Sequence, residues 1–275
     1  ARAGTTIAEL EKALAERGQM LAFEPPRYAP ESTLGGVIAS GLSGPARPYA
    51  GGVRDFVLGL HIIVGKGDVL KFGGQVMKNV AGYDVSRLLP GSLGTLALLL
   101  DVSIKVLPKP AASATLHVSI EQGKAIALIN QLASQPWPIN ASCWIGEAVG
   151  TLYLRLSGAK AAVQTAITSF KKEYGMQLLD DEAAHIFWDS IRDQKHDWFK
   201  NYSEKPLWRL AIPSTAAPLK LEGETLIEWH GGQRWWKGEI TSQEIKALAR
   251  SLDGHASIFK ASAKTSDMFS SLKDN

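Results

Sequence analysis

Cysteine is almost missing from this sequence: Cys143 is the only one in 275 residues. That excludes an internal disulfide framework, and any iron–sulfur cluster ligated by this chain alone. A lone thiol suits a reducing cytosolic setting and reads as a half-buried structural side chain. No uninterrupted run of about eighteen apolar residues occurs, so no membrane-spanning helix is expected. There is no charged start followed by an apolar core and a cleavage site, so no signal peptide is expected. Excess charge is scarce too: 30 Lys and Arg against 27 Asp and Glu leave +3, too little and too dispersed for nucleic acid as the main partner. Neither G-x-G-x-x-G nor G-x-x-x-x-G-K-[ST] is present, which disfavours a Rossmann dehydrogenase and a P-loop enzyme. A His-Glu-x-x-His zinc motif is absent as well. The chain also lacks an initiating Met and opens inside what reads as a strand over Ala1 to Thr5, so a piece upstream is expected.

What is present is a soluble globular balance, 45% hydrophobic and 21% charged, long enough for one or two domains. Its two ends differ. Fourteen of the 26 glycines fall between residues 31 and 100, whereas all eight tryptophans follow residue 136. Residues 1–110 hold 12 basic and 9 acidic side chains and residues 111–275 hold 18 of each, so the positive excess sits in the glycine-rich part. The join is read at Leu107-Pro108-Lys109-Pro110, where two prolines break regular structure.

Local signals give an order of elements. A capping box at Thr6 and Glu9 starts a helix over Ile7 to Leu14, and Gly18 ends it. Val57 to Val64, the turn Gly65-Lys66-Gly67-Asp68, and Val69 to Phe72 read as an antiparallel pair. Thr95 to Val106 reads as a long strand. Beyond Pro110 strands and helices alternate without a strict βαβ rhythm, which points to an antiparallel α+β domain.

The most informative stretch is Ser32-Thr33-Leu34-Gly35-Gly36-Val37-Ile38-Ala39-Ser40-Gly41-Leu42-Ser43-Gly44-Pro45. It reads as a loop whose small residues let backbone N–H groups approach a phosphate or a flavin edge, though such a loop also serves a tight turn. Three further pieces follow: Gly51 to Gly59, Met77-Lys78-Asn79-Val80-Ala81-Gly82-Tyr83-Asp84, and Arg87 to Leu96. In this order and spacing they resemble the second half of the FAD domain of the vanillyl-alcohol-oxidase, or p-cresol methylhydroxylase (PCMH), superfamily. Glu24-Pro25-Pro26, Gly44-Pro45-Ala46-Arg47-Pro48, Trp208-Arg209-Leu210 and Gly254-His255-Ala256 extend the likeness to the FAD-binding subunits of bacterial glycolate oxidases. The resemblance is strong over residues 1–110 and loose beyond them.

The fold that this resemblance implies is α+β: a PCMH-type FAD-binding domain over 1–110, its N-terminal subdomain largely missing, then an antiparallel α+β cap-like domain over 111–275. It implies FAD as cofactor, with Thr33, Gly35, Gly36, Ala39, Ser40, Gly41 and Gly44 against the flavin and pyrophosphate. Gly94 and Leu96 fall at the adenine end. Arg54 is placed to offer charge to the pyrophosphate, with an ion pair to Asp55 or Asp84 as the other reading. Lys78, Tyr83 and Asp84 are assigned to supporting the loops. The family's upstream Gly-rich loop and closing Asn-Pro-Gly-Arg segment are not found, so truncation at both ends is expected. Ala97 stands where the family prefers glycine. His61, the only histidine of the glycine-rich part, sits in a strand run and is not expected to carry a covalent flavin link.

Removal of hydride from a 2-hydroxy acid needs a cation for the carboxylate and a base for the hydroxyl. The nearest match to the family's catalytic run is His230-Gly231-Gly232-Gln233-Arg234, which lacks its Asp and Asn and reads as a turn. Asp189, Arg192, Asp193 and His196 read as a solvated charged face. No catalytic residue is therefore assigned. The resemblance implies a subunit of a glycolate oxidase complex that converts glycolate to glyoxylate. Its partners would be a homologous catalytic FAD subunit and an iron–sulfur subunit that carries electrons away. The implied location is cytoplasmic, at the inner face of the membrane where the complex associates with it. A stand-alone flavin-dependent 2-hydroxy-acid dehydrogenase would need its own convergent Arg, His and Tyr set. A flavin-free structural subunit would bind partners without FAD.

Overall fold

The structure is a computed structural model that describes residues 1–75, 83–200 and 205–262. The chain divides into two units, one of Ala1–Pro110 with Trp188–Gln194, the other of Ala111–Phe187 with Lys195–Asn275.

In the first unit α1 (Ile7–Ala15) begins at the capping box read from the sequence: Thr6 Oγ1 accepts the Glu9 N–H, and Glu9 accepts the Thr6 N–H. The chain then runs through β1 (Gln19–Met20) to α2 (Leu34–Ser40) and α3 (Arg47–Ala50). A three-stranded antiparallel sheet follows, of β2 (Val57–Ile63), β3 (Val69–Gly73) and β4 (Leu98–Ile104), in the order β3-β2-β4. β5 (Leu107–Pro108) pairs back with β1. Leu34, Val37 and Ile38 of α2 share one core with Ile7, Phe23, Phe56, Leu60 and Val102. The strand expected over Thr95 to Val106 is shorter, since Gly94 at φ 75° and Thr95 form a turn before it. Ala1 to Thr5 forms no strand; Arg2 only bridges to Asp101.

The second unit is built on an eight-stranded sheet in the order β13-β10-β12-β11-β7-β8-β6-β9, every named pairing antiparallel. Its strands are β6 (Ala112–Glu121), β7 (Ile139–Gly146), β8 (Val149–Gly158), β9 (Gln177–Leu178), β10 (Leu207–Ala211), β11 (Thr225–Glu228), β12 (Gln233–Lys237) and β13 (His255–Lys260). The helices are α4 (Gln122–Ala133), α5 (Lys160–Tyr174), the first part of α6 (Asp181–Arg192), and α7 (Ser242–Ser251). Ile126, Ile129 and Leu132 of α4 and Val163, Ala166 and Phe170 of α5 bury Leu116, Leu152, Leu154 and Leu156. Ile245 and Ala249 of α7 cover Trp208, Leu210 and Trp236. The other face carries Cys143, Tyr153 and Glu228, and there Tyr153 stacks on Phe187 with centroids 4.0 Å apart. The antiparallel α+β class expected from the sequence is the one observed.

Candidate functional site

The stretch read as a glycine-rich loop is half helix. Thr33 caps α2 by accepting the Gly36 N–H at 3.2 Å, and Gly41 ends it in the left-handed conformation at φ 67°. Two glycines in the helix weaken it locally, but Leu34, Val37 and Ile38 anchor one side in the core. Periodicity over seven residues was too short a signal to separate helix from loop.

Three of the predicted glycines make room for this chain itself. A Cβ at Gly35 would lie 2.9 Å from the Ala3 Cβ, one at Gly41 2.8 Å from the Gly91 Cα, and one at Gly44 2.5 Å from the Glu24 carbonyl oxygen. Gly36 differs: only Thr33 Oγ1, at 3.4 Å, lies near its absent Cβ, and it lines a cleft. The Gly41–Gly91 approach draws a second loop against the first, where the Gly91 N–H donates to Ile38 O at 2.9 Å and the Leu93 N–H to Ala39 O at 2.8 Å. Buried Ser43 pins a third by accepting the Val53 N–H at 3.0 Å.

Where these loops converge, two clefts open in the first unit and share Ser40. One, of about 230 Å³, is mostly apolar and lies among Pro26, Tyr28, Val37 and Leu42, with Ser32, Thr33, Gly36 and Ser40 completing its wall. The other, of about 500 Å³, is polar. Arg47 reaches it from α3, Arg54 and Asp55 from the 3₁₀ turn Val53–Asp55, and Arg87 from the 3₁₀ turn Val85–Leu88. Gly41, Gly52, Val53, Pro90 and Gly91 form its backbone walls. Among the described residues Arg54 pairs with neither Asp55 nor Asp84. The Asp55 carboxylate accepts the Gly52 N–H at 2.8 Å, and Asp84 pairs with Arg87 at 3.1 Å and with the Ser86 hydroxyl.

Of the predicted site residues, Thr33, Gly36, Ser40, Gly41 and Arg54 thus line the clefts. Gly35 and Gly44 pack behind them, and Ala39 joins the second loop through its carbonyl. Gly94 and the half-exposed Leu96 line neither cleft. Lys78 lies outside the described residues. Sequence reading passed over Arg47, Arg87, Gly91 and Tyr28 as site residues. The first three stand inside segments that carry the family resemblance, the only signal that pointed there.

The remaining candidates have structural roles. His61 Nδ1 lies 2.7 Å from Asp101 Oδ2, directly across the β2–β4 pairing. The face read as solvated is solvated only in part: Asp189 is exposed, but Asp193 is buried, accepting the Arg27 N–H at 2.9 Å and the Arg192 Nε–H at 2.8 Å. Arg27 also reaches Glu11 at 2.9 Å, and Asp189 pairs with Arg192 at 3.1 Å, so the segment is bound into the first unit. His230 is the middle residue of the turn Trp229–Gly231 between β11 and β12, at φ 60°, and burial lowers its pKa to about 4. Buried Arg234 fixes that turn by donating to the carbonyls of Gly231, Ala216 and Ala217. Cys143 is fully buried, its pKa raised by desolvation and then by the Glu228 charge. Among the described residues no group of His, Cys, Asp and Glu could hold a metal ion.

Residues 1–73 match the FAD binding domain family. The chain is 44% identical to the glycolate oxidase subunit GlcE of Escherichia coli over 262 residues, 95% of this chain and 71% of that one. It is 40% identical to the glycolate oxidase subunit GlcD of Bacillus subtilis over 96 residues, 35% of this chain and 20% of that one. Among solved structures, alkyldihydroxyacetonephosphate synthase superposes with TM-score 0.59 at 15% identity, covering 77% of this chain and 45% of that one. Berberine bridge enzyme from Eschscholzia californica superposes with TM-score 0.55 at 15% identity, covering 92% and 60%. These two show the fold alone; residues 1–73, which match the FAD binding domain family, lie in the first unit.

Proposed function

Because the chain belongs to the family of the glycolate oxidase subunit GlcE, we propose that it is the FAD-binding subunit of a complex that oxidises a 2-hydroxy acid, glycolate to glyoxylate. The likeness over nearly the whole chain carries this reading. The clefts support it, because an apolar recess beside an arginine-bordered one suits a ligand with a flat apolar ring and an anionic middle. Thr33, Gly36, Ser40, Gly41 and Arg54 would hold FAD, with Gly94 and Leu96 towards its adenine. The 1–110 stretch would be the FAD domain and 111–275 the cap-like domain.

When bound, the isoalloxazine supplies the hydride acceptor. This chain's own part is to hold and orient it: the α2 cap fixes the wall at Thr33 and Gly36, and the Gly41–Gly91 contact fixes the floor. Among the described residues no histidine lines either cleft to take the hydroxyl proton. We therefore assign proton abstraction to a homologous catalytic FAD subunit, and onward electron transfer to an iron–sulfur partner. Among the described residues no helix is long and apolar enough to cross a membrane. The proposed location is cytoplasmic, at the inner membrane face through the complex.

Flavin content is the test. The chain should be expressed alone and with GlcD-type and iron–sulfur partners, then read by visible absorbance and by flavin released on denaturation. Flavin retained with partners supports the FAD subunit. A stable, active complex in which this chain carries none would replace that reading with a structural subunit.

A further inference from the structure

We propose that Glu24 is a positioning residue for both clefts, a strained corner that sets the apolar wall through its backbone and the polar wall through its carboxylate. For the ligand, FAD, this rests on the flavin-subunit reading; the geometry stands on contacts within the first unit.

Glu24 holds a left-handed backbone at φ 50°, a conformation that strains any residue with a side chain. It closes a turn in which its N–H donates to Leu21 O at 3.0 Å, and fully buried Phe23 anchors that turn in the core. Directly after it come Pro25 and Pro26, both buried. Two fixed φ angles make this dipeptide stiff, so the direction chosen at Glu24 passes unbent to Pro26. Pro26 lines the apolar cleft, and Tyr28 follows it there. An ordinary backbone at position 24 would swing this wall away.

The same residue governs the polar cleft by a second route. Glu24 Oε2 accepts the Ala46 N–H at 2.8 Å, across 22 positions of sequence. Ala46 is buried and stands at the N-cap of α3, so this bond fixes where Arg47 enters the polar cleft. The two segments also meet through their backbones: the Gly44 N–H donates to Phe23 O at 2.9 Å, and a Cβ at Gly44 would lie 2.5 Å from Glu24 O. Glycine at 24 would relieve the strain, but glycine has no carboxylate to hold Ala46. Strain kept at the point where two ligand walls are joined marks a functional constraint.

The test uses the full chain, alone and with its partner subunits, as wild type and as Glu24→Gln, Glu24→Ala and Glu24→Gly. FAD affinity is read by fluorescence quenching and Tm by calorimetry. Amide hydrogen exchange over residues 27–29 and 44–47, without flavin, reads the two walls directly. Glutamine keeps an acceptor for the Ala46 N–H and should bind FAD within about threefold of wild type. Alanine should weaken FAD binding about tenfold, the order of one hydrogen bond to a charged group, and speed exchange in both segments. Glycine should melt no lower than alanine yet bind FAD no better, a separation of affinity from Tm that a merely structural role would not produce. Should the alanine variant not fold, glycine against glutamine gives the same comparison. FAD affinity that follows Tm through the series, or stays at the wild-type value in Glu24→Ala, overturns the proposal. Unchanged exchange over 44–47 in that variant also overturns it, and leaves the flavin reading standing where FAD still binds. A wild-type chain that takes up no FAD even with its partners overturns the flavin reading; faster exchange in both segments would then still establish that Glu24 holds the two walls.

Discussion

Replacing Asp193 by alanine removes the acceptor at the centre of an ion network. In the wild type its carboxylate takes the Arg27 N–H at 2.9 Å, Arg192 Nε at 2.8 Å and a second Arg192 N–H at 3.2 Å. The Asp193 side chain is 6% exposed and that of Arg192 12%, so little water would replace the lost partner. Breaking a buried pair from one side costs about 3–5 kcal/mol. Arg27 is 30% exposed and keeps Glu11, and Arg192 keeps Asp189, which places the loss near the lower end, at about 3 kcal/mol. At roughly 2–4 °C per kcal/mol for a chain of this size, Tm should fall by roughly 6–12 °C. Asp193→Asn, which keeps an acceptor without the charge, should fall in between. Asp197→Ala serves as a control, because Asp197 is 88% exposed and its pair with Lys200 should contribute nothing measurable. Differential scanning calorimetry is the assay, and the two units make separate transitions possible. An Asp193→Ala protein that melts within about 1 °C of wild type would refute the reasoning.

Gly41→Ala should destabilise by at least about 1–2 kcal/mol, since an L residue is strained in a left-handed backbone. The added methyl would also meet Gly91, so Gly36→Ala should be the milder change in thermal melts, and equal losses would contradict this account. His230 is buried neutral with a pKa near 4, below its value of about 6.5 when unfolded. Its stabilising contribution is therefore complete above pH 6.5 and is lost as pH falls towards 4, amounting to about 2 kcal/mol by pH 5. His230→Asn, which tolerates the left-handed backbone, should flatten Tm over that window; an unchanged slope counts against His230 as its source. Cys143, buried and held protonated, should react with a thiol reagent only after denaturation, and fast reaction of the native protein at pH 8 would contradict its placement.

Much of the scaffold was legible before any coordinates. The capping box at Thr6 and Glu9 and the turn at Gly65 to Asp68 both depend on interactions within a few residues. Chemistry that acts over so short a distance is written in the chain itself. The antiparallel α+β class was read from strands and helices that alternate without a strict βαβ rhythm, an order visible along the chain.

The site was legible only in part. Thr33, Gly36, Ser40 and Arg54 lie within recognisable segments, and they do line the clefts. Nothing local indicates that Gly41 must face Gly91, or that Arg47, Arg54 and Arg87 border one recess across 40 positions of sequence. Asp193 misled for the same reason: charge at helical spacing reads as solvated until Arg27, 166 residues away, is seen to bind it. Composition, caps and turns were determined by the sequence alone, because neighbours along the chain suffice to form them. Which glycines make room for backbone, and which charges are buried or share a cleft, only the tertiary structure decided, because those properties belong to residues that meet through folding.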